Sequence, residues 1–409
     1  MSASTAAADD LRALRRRLAD AQPEKINQVL QLLERMPRDA QTDAMMESLL
    51  SPLRPALRRL RPDRRLTLVR LLFVPLDPLV VSARGWQRGS ASVPRSAIPP
   101  LAEAARIGLG QQAADIAAAL GPAMMSDLHR LAAPTEQFWN EAADLFAGPG
   151  LEAAIAAATR GNANPGPASA DLAAIARAIA PILRFGRRFT NPLDPTLPGA
   201  LLAAAAAVAP PDQATAWEMA LALLLERMED RASVLLTARQ MATQPAQHRA
   251  LESAPAMVLT RLENAVGDIR GAVLGDAATE LERAAALLEA LREGGAAARR
   301  IAPALTGRFI AAGRARLASA LADDVLRPLA TITRPDGAEL VSLEDRLREV
   351  RRLDAAGRAL GDNGAQDAAL AAAADAIASR ADLPEIGRAR LVELLVGAQA
   401  AVRRFPALA

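Results

Sequence analysis

Apolar residues recur at intervals of three and four along almost all of this 409-residue chain, and no stretch alternates long enough to make a strand. A period near 3.6 collects such residues on one helix face, whereas a half-buried strand needs a period of two. Leu11, Leu14 and Leu18 set the pattern, and Ile26, Val29, Leu30 and Leu33 repeat it. It returns in Trp217, Leu221, Leu224, Met228 and Leu235, in Val258, Leu262, Ile269 and Val273, and in Ile301, Leu305, Phe309, Leu317, Leu321 and Val325. The apolar text is mostly Ala and Leu, with aromatics at 2% and no Tyr. Such thin side chains require helices to approach closely and to bury surface by number and length. The expected fold class is therefore all-α, a multi-helix bundle or an irregular α-solenoid-like array in two parts.

Proline, glycine and capping residues divide this text. Ser51-Pro52 and Pro62-Asp63 each read as a helix start, so two helices are expected to meet near Arg61. The second should run to about Val74, where Pro75 and Pro78 stop it. Residues 82–98 lack helical spacing and read as a long loop, after which Pro99-Pro100 open a helix reaching Leu109. Further helices are expected near 111–120, 123–132, 135–147 and 150–159. The segment 161–170 has no apolar anchor and reads as a linker. It would separate an irregular N-terminal helical domain, 1–160, from a C-terminal domain of longer antiparallel helices, 171–409. Within the latter, 171–185, 342–360, 365–380 and 385–403 read as helices. Pro-Leu-Asp-Pro occurs at 75–78 and again at 192–195, but four turn-forming residues are too few to establish a duplication.

The isoelectric point of 10.4 does not describe a strongly basic protein. Lys and Arg number 49 against 46 Asp and Glu, a net charge of only +3, and the one Lys is Lys25. With no Cys or Tyr and two His, almost nothing titrates between neutrality and the range of Arg, so a small positive charge persists to high pH. The basic excess is local. Between Pro52 and Leu72 stand seven Arg and one Asp, with Arg54, Arg58, Arg61 and Arg65 at helical spacing and Arg59, Arg64 and Arg70 beside them. An arginine stripe suits phosphate through bidentate hydrogen bonds and counterion release. Carboxylates at Glu103, Asp115, Asp127, Glu136, Glu141, Asp144 and Glu152 are alternative partners for the same guanidinium groups.

Several chemistries are excluded by composition. Without Cys there are no disulfides, thiolate metal sites or cysteine nucleophiles. Lys25 lies in no GxxxxGK[ST] loop, and GxSxG and HExxH are absent. His129 and His248 stand far apart and read as surface or helix-end residues. Glu226, Glu229 and Asp230, with Arg227 and Arg231, read as a solvated face. Asp323-Asp324 has no further carboxylate at ligand spacing. No catalytic residue, cofactor site or metal site is assigned, and an enzyme is not expected. Asp9-Asp10 interrupt the N-terminal stretch where an export signal needs an apolar run, and the uncharged window Pro195–Pro211 is too short and weakly apolar to span a bilayer. The expectation is a cytoplasmic protein with no transmembrane segment.

Two regions remain as binding candidates. One is the stripe Arg54, Arg58, Arg61 and Arg65. The other is the 82–98 loop, which gathers Arg84, Trp86, Arg88 and Arg95 with Ser90 and Ser92. Trp flanked by Arg is a common interaction anchor; alternatively Trp86 pins its own loop to the core, with Val93 and Ile98 as further anchors. The apolar run Leu66–Val74 is nearly all-round and reads as a core helix rather than an interfacial one. The leading expectation is a non-enzymatic interaction or scaffold protein that binds another protein through helix grooves. An anion or nucleic-acid phosphate module using the Arg54–Arg70 helices ranks second, and peripheral membrane association third.

Overall fold

Helix dominates the structure, as the 3.6 period requires. The computed structural model describes Gln28 and residues 63–82, 86–160, 167–190, 194–267, 274–292, 296–331, 337–362, 364 and 366–408. Among these the only sheet is a two-stranded parallel ladder, β1 (Val80–Val81) against β2 (Val93–Pro94), with Val80 opposite Val93 and Val81 opposite Pro94. The fold class is all-α. The chain divides into two compact units, Met1–Ala254 and Pro255–Ala409.

In the first unit, α1 (Leu68–Leu76) begins later and ends later than expected. Thr67 is its N-cap, accepting from the Arg70 amide. Ahead of it the chain is extended: Arg65 bridges Met124 in antiparallel fashion, Leu66 donates to the Ala123 carbonyl at 2.7 Å, and Met125 donates to the Arg64 carbonyl at 2.6 Å. Asp63, read as a helix start, instead accepts from the Ser126 amide at 3.1 Å and from its hydroxyl at 2.5 Å. This one long-range pairing takes Arg65 out of the helix and also removes the helix expected at 123–132, leaving a 3₁₀ turn at Met125–Asp127. Pro75 lies inside α1 rather than after it, because so near the C-terminal end it removes only the bond its missing N–H would have made. The buried face of α1 is Leu71, Leu72, Pro75 and Leu76, which bears out the core reading, while Val69 is 40% exposed.

Then follow α2 (Ile98–Leu109), α3 (Gln111–Leu120), α4 (Ala132–Ala147), α5 (Leu151–Thr159), α6 (Ser169–Arg184), α7 (Leu197–Ala206), α8 (Gln213–Arg227) and α9 (Arg231–Met241). Every residue of α8 from Met219 to Leu225 is buried, the mark of a helix enclosed on all sides. α6 and α7 pack on it, and α6 also packs on α4. The helices on either side of 161–170 therefore belong to one unit, although the sequence reads there as a linker. Arg177 reaches back to Glu152 at 2.6 Å, Arg187 to Glu136 at 2.9 Å, and Arg184 pairs with Asp144. The division falls within α10 (Pro245–Gly267), at Pro255.

The second unit contains α11 (Leu274–Arg292), α12 (Ala296–Ala320), α13 (Arg327–Thr331), α14 (Gly337–Ala359), α15 (Asp367–Ala378), α16 (Glu385–Val396) and α17 (Ala398–Arg404). α11 packs against α12 and α14, and α14 against α16. Leu281, Leu287, Leu288, Leu347, Val350, Val392 and Leu395 are buried between them. A π-helical segment, Leu321–Leu326, joins α12 to α13, and Asp323 there pairs with Arg327 at 2.8 Å. The single helix expected over 385–403 is two helices. Gly397 separates them at a φ of 93°, a conformation that residues with a Cβ rarely adopt. Among the described residues no helix is long and apolar enough to cross a membrane.

Candidate functional site

The Trp-bearing loop is built as a closed structural unit. The β1–β2 ladder joins its ends, and Trp86, half-buried, donates its indole N–H to the Ser92 carbonyl at 3.1 Å. Ser90 and Ser92 share a hydroxyl hydrogen bond of 2.8 Å, and Ser90 donates its amide to the Gln87 carbonyl at 3.1 Å. Val93 and Ile98 are buried, as expected of anchors. Arg88 is 74% exposed and lies 2.9 Å from the Asp171 carboxylate at the start of α6. Arg95 stacks its guanidinium 5.4 Å from the Phe73 ring centroid. Arg84 lies outside the described residues.

Of the arginine stripe, Arg54, Arg58 and Arg61 also lie outside the described residues. Arg65 is half-buried and donates to the Gly121 carbonyl at 3.4 Å, while Arg70 donates to the Arg65 carbonyl. These guanidinium groups tie backbone segments together. Most of the carboxylates that composition offered them are engaged elsewhere. Glu136, Asp144 and Glu152 hold arginines of 177–187, Glu103 pairs with Arg106, and Asp127 accepts from the Met124 amide at 3.0 Å.

Arg177 is the most heavily used of these cations, donating to Asp212 and to Glu152 at 2.6 Å each. These hydrogen bonds raise the Arg177 pKa, Asp212 contributing most, and the bond from Arg177 holds the Glu152 carboxyl below its ordinary range. Arg177 and Arg184 flank a cavity of about 430 Å³ whose remaining walls, among them Ala180, Pro181, Ala204 and Val208, are apolar. Glu226 and Arg231, read as part of a solvated face, are buried. The helix breaks at 228–230, where Asp230 caps α9 by accepting from the Ser233 amide at 2.9 Å, and Arg231 donates to the Leu225 carbonyl at 2.8 Å. His129 and His248 are exposed. Among the described residues no group of three or more His, Asp or Glu is placed to hold a metal ion.

Among the described residues, a surface shaped to receive a partner lies at the C-terminal end. α16 and α17 enclose a groove of about 480 Å³ lined by Ile386, Ala389, Arg390, Glu393, Ala398, Ala401, Val402 and Phe405. Ile386 is 73% exposed and Val402 48%, while Phe405 is buried. The spacing 386, 389, 390, 393 on α16 and 398, 401, 402 on α17 is that of one helix face each, turned toward a common hollow that Phe405, just past the end of α17, also lines. The pattern is present in the sequence, but read as one helix it describes a stripe; the turn at Gly397 converts it into a groove. Comparison with protein families, curated proteins and solved structures finds no match to this chain.

Proposed function

We propose that this chain is a non-enzymatic interaction protein that binds a protein partner through the groove between α16 and α17. The observation that carries the reading is the exposure of Ile386 and Val402 beside an apolar hollow floored by Phe405. Single exposed apolar residues are ordinary on protein surfaces, but here two flank one concavity. Helix-in-groove recognition uses this arrangement: apolar anchors at helical spacing, burying more in a hollow than on a flat face. Among the described residues no observation favours phosphate binding, since Arg65 and Arg70 donate to carbonyls and Arg88 and Arg95 are engaged by Asp171 and Phe73.

The test is photocrosslinking in the native cell, with benzoylphenylalanine at position 386 and, as control, at the exposed position Leu236. A discrete protein adduct formed from 386 and not from 236 is expected. Equal labelling at both positions, or none at 386, defeats the reading.

A further inference from the structure

We propose that the hollow between α6 and α7 is a binding site for a free monocarboxylic acid with a short apolar tail, its carboxylate held by Arg184. The hollow measures about 430 Å³, the size of a small-molecule site, and such sites are mostly apolar with a few placed polar groups. Arg177, Ala180, Pro181 and Arg184 line it from α6 at the positions of one helix face, so two apolar residues stand between two arginines. The arginines are two turns apart, about 10 Å along the helix, which limits the tail to a short chain. Ala204 in α7 and Val208 just beyond it close the other side. Ala180 and Ala204 contribute only a methyl group to each wall, which leaves room for a chain between them.

The two ends differ in charge, and the difference orients the ligand. Arg177 is shared by two carboxylates, Asp212 at Nε and Glu152 at Nη1, each at 2.6 Å. One arginine against two acids leaves that end net negative, so it repels an acid. Arg184 carries the same fork but, among the described residues, has one partner: its Nη2 donates to Asp144. Arg184 and Asp144 are 53% and 64% exposed, so the pair is weak and its neutral end leaves guanidinium donors unspent. A second carboxylate on those donors repeats at Arg184 the two-acid sharing that the fold already builds at Arg177. An acid is thus accepted at one end and refused at the other, which selects a single carboxylate and lays the tail along Pro181, Ala180 and Ala204.

The experiment is isothermal titration calorimetry of octanoate, octanol and octylamine into the full chain, with circular dichroism to confirm that each variant folds. Octanoate should bind at one site per chain and more tightly than either of the others. Arg184→Gln should weaken octanoate about tenfold or more and leave octanol unchanged, because the loss falls on the carboxylate alone. Asp144→Asn removes the competing acid and should tighten octanoate. Ala204→Phe fills the hollow and should abolish binding; Arg184 is exposed, so its variant tests the site independently of how well that larger side chain is tolerated. Absence of saturable heat with octanoate overturns the proposal. So does a preference for octylamine, equal binding of octanol, or octanoate binding indifferent to Arg184→Gln or to a folded Ala204→Phe chain.

Discussion

Trp139 donates its indole N–H to the carbonyl oxygen of Leu71 across 2.8 Å, in the core of the first unit. The bond answers a deficit written into α1. Pro75 has no N–H, so the carbonyl four residues earlier, that of Leu71, lacks its usual helical donor. A buried carbonyl without a donor is costly, and α4 supplies one from its largest side chain. The indole thus explains why a helix can run through Pro75.

The deficit and its remedy should be coupled. Trp139→Phe keeps most of the ring but removes the donor, and is expected to cost about 1–3 kcal/mol. Pro75→Ala returns an N–H at the position that normally serves Leu71, so in that background Trp139→Phe should cost less, by about 1 kcal/mol. The chain's three Trp all lie in the first unit, so fluorescence-monitored urea unfolding with Trp86 and Trp217 as reporters follows this unit. Equal costs in the two backgrounds would falsify the coupling.

Gly186 is the other half of the Trp139 site. A Cβ there would stand 2.8 Å from Cε3 and 2.9 Å from Cδ2 of the indole, whose ring is held by Leu71 and cannot swing aside. Gly186→Ala should therefore destabilise by about 1–3 kcal/mol, the usual cost of overpacking. Gly199, inside α7 with nothing within 4 Å of its Cβ position, is the contrast. Gly199→Ala should stabilise by about 0.5–1 kcal/mol through helix propensity. Thermal unfolding of the two variants should move in opposite directions.

Legibility followed the range of the interactions. α2, α3 and α5 fall close to their expected limits because Pro99-Pro100, Gly110, Gly121 and Gly150 are local signals read within a few residues. Arg65 was misplaced on a helix because its extended state depends on Met124, far along the chain. The 161–170 segment reads as a boundary because it has no large apolar anchor, whereas what unites its flanks is the packing of α6 on α4 and the reach of Arg177 and Arg187 to Glu152 and Glu136. Burial of Glu226 and Arg231 depended on a helix break that Met228 does not announce. In the 82–98 loop, Trp86, Val93 and Ile98 were identifiable as anchors, but the parallel pairing of Val80 with Val93 was not, since two-residue strands carry no alternation.

That loop gives a prediction with two arms. Trp86 is half-buried and bonded to the Ser92 carbonyl, so Trp86→Ala should destabilise the first unit by roughly 1–3 kcal/mol, less than truncation of a fully buried Trp. Arg88→Ala removes an ion pair whose cation is mostly solvated, and should cost under about 1 kcal/mol, less in high salt. Chemical unfolding of both variants at two salt concentrations is the measurement. Unchanged stability in Trp86→Ala would show that the indole does not anchor the loop.

In the second unit, acid stability should bend at Asp382. Arg380 grips this carboxylate with both ends of its fork, Nε at 2.8 Å and Nη2 at 2.6 Å, and also donates to the Leu329 carbonyl, tying the end of α15 to α13. The paired guanidinium lowers the Asp382 pKa from 3.8 to about 2, while Arg380 stays charged throughout. Because the folded pKa is the depressed one, the unfolded chain takes up the proton first as pH falls. The pair's contribution is therefore complete above about pH 4 and is lost progressively toward about pH 2. Asp382→Asn removes the titrating group, so the variant should be less stable than wild type at neutral pH and should converge with it near pH 2. Carboxylates held down by arginine in the first unit, Glu103, Glu152 and Asp194, give the whole-chain signal an acid slope that wild type and variant share. The second unit has no Trp, so the comparison is made by far-ultraviolet circular dichroism during denaturant titrations at stepped pH. Parallel curves for wild type and Asp382→Asn between those limits would show that the Arg380 pair contributes nothing to acid stability.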